Sequence, residues 1–276
     1  MSALPPISSW TRLDLHMHSN LSDGRYSPNA VLERAAKGAL DVIALTDHDL
    51  PSGLPQGRVT VNGHPLYVLH GAEISGHYQG VEQHLLVYFP GPMPQHFADF
   101  CRELAAKRAH RYERAVHNLA IEGLPAPDDA AWQGERSLTR LHLSQALVDA
   151  GHAESLHDAF ARFTGRSTGN VPNVELSFVD AIKHARAAGG ITSWAHPALD
   201  NVRKWLPDLA AAGLQGVEVF RPPVGGKTRR ELGRLARKQG LVLTGGSDWH
   251  GWRHHQLGEF AVLGQQTLAF NKALAA

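Results

Sequence analysis

Short apolar runs recur along the chain, each closing in glycine, proline or a polar cluster, and stretches with helical spacing separate them. The runs predict strands over residues 12–16, 42–46, 67–70, 84–89, 191–194, 216–220 and 241–244. After the first, Ser27-Pro28 has the form of an N-cap followed by the first helical residue, so a helix is expected from there to about Gly38. A second helix over 179–188 ends in the same manner at Gly189-Gly190. Strands alternating with helices imply a mainly parallel sheet with crossover helices, and seven strands suffice for a barrel. The alternation lapses over 97–163, where helix formers and helically spaced apolar residues leave almost no strand signal. That stretch reads as an inserted helical subdomain, and residues 165–170 as the loop returning the chain to the main fold.

With 276 residues, 43% apolar and 19% charged, the chain has the makeup of a globular protein able to form one large α/β domain or two smaller ones. Its 27 basic and 26 acidic side chains nearly cancel. That balance argues against a protein that coats long nucleic acid and leaves room for a local basic patch on a small anion. Any nucleotide substrate is therefore expected to be short. Cys101 is the single cysteine, so any metal falls to histidines and carboxylates rather than to a thiolate cluster. Residues 1–10 lack a basic start followed by an apolar core, and no run approaches the ~20 apolar residues that span a bilayer. A cytoplasmic protein with no membrane partner is expected, its oligomeric state left open. The compositional anomaly is 18 histidines.

The first predicted strand delivers Asp14-Leu15-His16-Met17-His18. Alternate residues of an extended chain share a face, so His16 and His18 present two imidazoles to one point. Asp23, in the turn Ser22-Asp23-Gly24, stands where a carboxylate can fold back to the same point. Other strand ends repeat the pattern: 42–46 runs into Asp47-His48-Asp49, 67–70 leads to Glu73, 191–194 to His196-Pro197, and 241–244 to Ser247-Asp248-Trp249-His250. In a parallel β/α barrel the C-terminal strand ends meet at one mouth, so residues dispersed in sequence converge in space. His84 stands instead at the start of its strand, which requires either an antiparallel strand or different strand limits. Asp14, Asp47 and Asp49 are either carboxylates that orient ligand imidazoles or turn formers. His64, His77, His96, His110, His117, His152, His157, His254 and His255 are read as core or surface side chains. Imidazole and carboxylate sets suit Mn²⁺, Fe²⁺ or Zn²⁺, and oxygen-richer sets admit Mg²⁺.

Taken together, these motifs, with Thr46 before Asp47, Gly71-Ala72 before Glu73, Ala195 before His196, Gly246 before Ser247 and Gly251 after His250, resemble the PHP (polymerase and histidinol phosphatase) superfamily in order and spacing. The resemblance implies an α/β fold, a distorted (β/α)7 barrel. Its catalytic part would comprise residues 11–96 and 171–265, with a helical insertion over 97–170. The resemblance further implies two or three divalent cations, Mn²⁺ first among them, on His16, His18, Asp23, His48, Glu73, His84, His196, Asp248 and His250. By the same likeness His16, His18, Glu73 and Asp248 hold one ion, Asp23, His48 and His250 a second, and Glu73, His84 and His196 a third. Glu73 would thus bridge, and Asp23, Glu73, His196 and Asp248 are the residues implicated in catalysis.

Within the superfamily the chain looks like the bacterial branch of nucleoside 3′,5′-bisphosphate phosphatases, some of which resemble 5′-to-3′ exoribonucleases on short RNA. The implied activity is metal-dependent hydrolysis of the 3′-phosphate of such a nucleotide, with short 5′-phosphorylated RNA as a further substrate. In the insertion, Thr139-Arg140-Leu141-His142-Leu143 looks like that branch's substrate segment, with Arg140 and His142 gripping phosphate; the plainer reading is a helix-surface pair. Two positions depart from the pattern: Ser167, beside Arg166, replaces an expected basic residue, and an arginine expected soon after His142 is missing. Histidinol phosphate is the competing substrate, and a non-hydrolytic nucleotide-binding module is a competing class. A metal amidohydrolase shares the barrel and the His-x-His start, yet none of the seven lysines falls at a predicted strand end to bridge metals.

Overall fold

The computed structural model describes residues 6–125, 136–252 and 254–275. Residues 1–5 of the stretch read for a leader, and 126–135 of the expected insertion, lie outside them. The strands are β1 (Arg12–Met17), β2 (Val42–Leu45), β3 (Gly57–Val61), β4 (His64–Tyr78), β5 (Val81–Phe89), β6 (Ile191–Trp194), β7 (Gly216–Phe220), β8 (Val242–Gly245) and β9 (Val262–Leu263). The helices are α1 (Pro28–Lys37), α2 (Gln95–Ile121), α3 (Arg140–Asp149), α4 (Leu156–Ala159), α5 (Phe178–Ala187), α6 (Leu199–Ala211), α7 (Gly226–Lys238) and α8 (Leu268–Ala275). Helix α1 starts as its sequence predicts, with Ser27 Oγ accepting from the Ala30 amide and Pro28 in the first turn.

One sheet runs in the order β8-β7-β6-β5-β4-β2-β1-β9, with β3 paired to β4. Pairs β1–β2, β2–β4, β6–β7 and β7–β8 are parallel, whereas β5 is antiparallel to both β4 and β6. Closure is made by the segment beyond β8: the Asp248 amide donates to the His16 carbonyl at 2.8 Å and the His18 amide to the Trp249 carbonyl at 2.9 Å. Gly246 permits this approach, because a Cβ there would collide with the backbone of His16. Strands β1, β2 and β4–β8 thus form a nearly closed, distorted barrel with helices outside it, the architecture expected.

Two differences from the predicted strands matter for the site. Strand β4 runs over fifteen residues rather than 67–70. The turn Gln79-Gly80, both at positive φ (51° and 74°), folds β4 straight onto β5. Glu73 therefore lies in mid-strand, and the start of antiparallel β5, with His84, falls at the barrel mouth. Asn62-Gly63, also at positive φ, makes a second hairpin joining β3 to β4 that the sequence reading missed.

Apolar clusters fill the barrel (Leu13, Leu15, Leu69, Tyr88) and the space beneath the helices (Phe178, Leu206, Leu209, Leu232). Helix α2 belongs to two cores: Phe97, Cys101 and Leu104 pack on the barrel, while Tyr112, Ala115 and Leu119 join Leu143, Leu147 and Phe163 in a separate cluster. That separate cluster is the physical basis for treating 97–170 as its own unit, a division we keep as a proposal. No helix among the described residues is long and apolar enough to cross a membrane.

Candidate metal centre

The nine histidines and carboxylates singled out in the sequence come together at the mouth. His16 and His18 project from the end of β1, His48 follows β2, Glu73 comes from β4, His84 from β5 and His196 follows β6. Asp248 and His250 follow β8, and Asp23 reaches in from the turn after β1. Gly24 lies against the His18 carbonyl, too close for any Cβ, which is why this turn folds back over the strand end. His196 and Asp248 adopt positive φ (30° and 53°), a conformation that costs non-glycine residues on the order of 1–3 kcal/mol. Such strain is retained where surrounding structure fixes a side chain in place.

Glu73, fully buried, is the hub. Its Oε1 lies 3.0 Å from His196 Nε2, 3.1 Å from His84 Nδ1 and 3.3 Å from His16 Nε2. Its Oε2 lies 3.0 Å from His48 Nδ1 and 3.3 Å from His18 Nε2. Asp248 Oδ1 is 3.4 Å from His16 Nε2 and 3.3 Å from His18 Nε2, and Asp23 Oδ1 is 3.2 Å from His250 Nε2. Four overlapping groups have ligand atoms within 4.8 Å of one another: His18, Asp23, His48 and His250; His16, His18 and Asp248; His16, Glu73 and His196; and His48, Glu73 and His84.

Of the imidazoles around Glu73, only His84 and His196 reach it with hydrogen-bond geometry, both at Oε1. His16 Nε2, His18 Nε2, His48 Nδ1 and Glu73 Oε2 are buried and lack any partner with hydrogen-bond geometry. A buried polar atom without a partner costs roughly 1–3 kcal/mol, so three imidazole nitrogens and the hub's own oxygen need a common acceptor of their lone pairs. Divalent cations fit that need, and the oxygen and imidazole donor set suits them.

Protonation agrees. Burial pushes the Glu73, Asp23 and Asp248 carboxyls up, but the surrounding imidazoles outweigh it and hold all three well below the usual carboxylate range. Burial, with His250 and His48 nearby, lowers His18 to about 4. His84 and His250 are depressed by burial yet raised overall, by Glu73 and Asp23 respectively, to about 9 and about 10. A cation binding here would therefore displace protons from His84 and His250.

The three aspartates left open by the sequence touch no ligand imidazole within hydrogen-bond distance; each fixes a loop. Asp14, raised to about 7 by burial, accepts from the Ser247 amide and so ties the Asp248 segment to β1. Asp47 accepts from the Ser19 amide and from the hydroxyls of Ser19 and Ser22, holding the turn that carries Asp23. Asp49 accepts from the Ser75 amide and pairs with the buried Arg108 of α2, fastening the helical region to the mouth. A carboxylate that does orient a ligand, and that the sequence reading missed, is Glu218. Its Oε1 takes the His16 Nδ1 proton at 2.9 Å and its Oε2 the His196 amide at 2.7 Å, leaving the His16 Nε2 lone pair aimed at the centre. A glutamate between two valines in the apolar run of β7 was the available signal.

Beside the centre lies a cationic region. Glu82 approaches His84 through Oε1 at 3.4 Å, and its Oε2 accepts from both Arg111 and Arg140 at 2.8 Å. The Arg140 Nε is buried without a partner, so this is not a solvated helix-surface arginine. Arg111 is a further residue the sequence did not reveal. Burial lowers the Arg166 guanidinium, which feels both Glu82 and Arg140; its charge thus stands in the region where Ser167 leaves a gap. His142, lowered to about 4 mainly by burial, accepts from the Thr139 amide through Nδ1 in a capping box. It serves α3 first, and is neutral at physiological pH.

A mouth-sited cluster of imidazoles and carboxylates on a distorted barrel defines a metal-dependent hydrolase of phosphoric esters. The PHP domain model matches residues 14–166, more than half of the chain, and the chain belongs to this family. It is 32% identical over 255 residues to a 5′-3′ exoribonuclease of Haemophilus influenzae, an alignment covering 87% of this chain and 92% of that one. It is 28% identical over 247 residues to the 3′,5′-nucleoside bisphosphate phosphatase of Chromobacterium violaceum, covering 86% and 87%. The crystal structure of a proposed metal-dependent phosphoesterase from Bifidobacterium adolescentis superposes with a TM-score of 0.74 at 28% identity, covering 95% of each chain.

Proposed function

We propose that this chain removes the 3′-phosphate of nucleoside 3′,5′-bisphosphates and also shortens 5′-phosphorylated RNA, in the cytoplasm, with Mn²⁺ as its working cation. The nine clustered residues would hold two or three cations in the sets the family resemblance gives, Glu73 bridging and Asp23, Glu73, His196 and Asp248 framing the reacting phosphate. When bound, such cations supply Lewis acidity, activating water and offsetting charge on phosphoryl oxygens. The observation that carries the substrate reading is the Arg140 guanidinium. It is held by Glu82 at the edge of the centre with one buried donor unspent, which suits a second phosphate a short distance from the first.

The protein's own residues do the positioning. Glu82 turns Arg111 and Arg140 toward the same side, so a 5′-phosphate gripped there places the 3′-phosphate at the centre, and binding energy from the remote group is used to orient the reacting one. Glu218 and Asp14 keep His16 and Asp248 from relaxing outward. His142, neutral, offers hydrogen bonding rather than charge.

A substrate panel with manganese tests this: adenosine 3′,5′-bisphosphate, histidinol phosphate and short 5′-phosphorylated RNA. The bisphosphate is expected to have the highest kcat/KM and RNA to be hydrolysed measurably. Histidinol phosphate as the preferred substrate would overturn the reading.

A further inference from the structure

A second polar groove, outside the metal centre, has no part in the chemistry above. It runs between α1 and the stretch carrying Gly251 and His254 to Leu257, measures about 710 Å³, and continues toward the β3–β4 turn. Arg25, Arg34, Lys37, His254 and His255 line it, with Glu33 the one acid among the described lining residues. Arg25, Arg34 and Lys37 form no ion pair among the described residues, so their charge has no internal counterpart. Arg34 lies 3.6 Å from the centroid of Tyr26, which in turn stacks on Trp249 at 5.7 Å, giving the groove a rigid floor. Cations spaced along a channel, rather than gathered at one point, match a chain of phosphates better than a single anion.

The groove begins beside the centre, its lining residue Gly251 following His250 directly. On the centre's side of this junction His18 stacks on His250 at 4.1 Å. The His250 carbonyl then accepts from the Arg25 amide at 2.8 Å, where the groove begins. At this lip Trp252 is 51% exposed, and its indole N–H is fixed on the Asp23 carbonyl at 2.7 Å. An exposed, anchored indole is a stacking platform for a base.

We propose that this groove carries the RNA chain downstream of the nucleotide being removed, an inference that rests on the exoribonuclease arm of the function above. A strand whose first nucleotide spans from Arg140 to the metal centre would leave across the Asp23–His250 edge, beside which Arg25 and Gly251 begin the groove. A nucleoside bisphosphate ends at the centre and never enters it.

The test is steady-state kinetics of the full chain with manganese on three substrates: adenosine 3′,5′-bisphosphate, a 5′-phosphorylated dinucleotide, and a 5′-phosphorylated oligomer of about eight nucleotides, within the span that single-strand grooves take. Wild type should show higher kcat/KM on the oligomer than on the dinucleotide. Lys37→Glu with His254→Glu, both exposed and neither among the nine ligands, should erase that advantage, a fall of about tenfold on the oligomer. Bisphosphate turnover should stay within about twofold, as for ordinary surface changes, and the log–log salt dependence of the oligomer KM should flatten by about 0.7 for each phosphate the groove no longer neutralises. Unchanged oligomer kinetics in the double variant, or an equal loss on the bisphosphate, would overturn the groove assignment. Bisphosphate turnover by a wild-type enzyme that shortens no RNA would sink the groove and leave the phosphatase standing. Turnover of none of the three would remove the functional reading itself.

Discussion

The metal centre and the arginine cluster beside it lie within one mouth yet are built in opposite ways. At the centre, side chains from six barrel strands, or the turns just beyond them, meet because sheet register leaves them no alternative, and Glu218 and Asp14 lock them there. At the arginine cluster, Arg108 and Arg111 come from α2 and Arg140 from α3, helices outside the barrel. They reach the mouth through three ion pairs on two carboxylates, Arg108 on Asp49 and both Arg111 and Arg140 on Glu82. The first arrangement, fixed by the sheet, suits chemistry common to a family; the second, supplied by helices outside it, suits choice among substrates. Damage to the first should therefore stop every reaction, whereas damage to the second should separate one substrate from another.

The largest effect is expected from Asp248→Ala, which removes a charged oxygen facing both His16 and His18. Activity on every phosphoester should drop about 10³-fold or more, the rate equivalent of several kcal/mol of electrostatic stabilisation, and metal content measured by mass spectrometry should fall with it. Normal turnover by this variant would break the comparison at its stronger half. Glu218→Gln keeps the shape but weakens the hold on His16, so metal affinity should fall about 10–100-fold and activity should return with excess manganese. Arg140→Ala sharpens the other half. Removing a charge-assisted hydrogen bond worth about 1.5–3 kcal/mol should raise KM for the bisphosphate about 10–100-fold while sparing a simple monophosphate; equal loss on both would place Arg140 in the chemistry rather than in recognition. The mildest effect is on pH. His84 and His250, raised to about 9 and about 10, keep protons at neutral pH that a cation must displace. Metal affinity should therefore rise as pH rises toward that range and fall on acidification, by about tenfold per unit for each proton displaced. Titration calorimetry at several pH values reads this directly, and a flat profile would argue against it.

The same contrast explains what the sequence disclosed. Strand ends carrying His16, His18, His48, His196, Asp248 and His250 are visible because an apolar run stops at an ionisable residue, and a barrel has one place for such ends to go. His84 looked misplaced for lack of one fact, that β5 runs antiparallel, and that fact depends on the Gln79-Gly80 hairpin beyond the predicted strand limit. Glu218 stayed hidden because a charge in an apolar strand reveals burial but not its partner. Arg111 was illegible for a deeper reason: helical arginines are ordinarily solvated, and only the fold brings this one to Glu82. The cap role of His142 was equally invisible, since a histidine at that position of a helix resembles any other polar residue.

The most direct test of the central claim is anomalous diffraction from crystals of the full chain grown with manganese. The account predicts two or three peaks among the nine side chains, one pair bridged by Glu73. A centre that stays without peaks at saturating manganese, or binds only one ion away from Glu73, would contradict it.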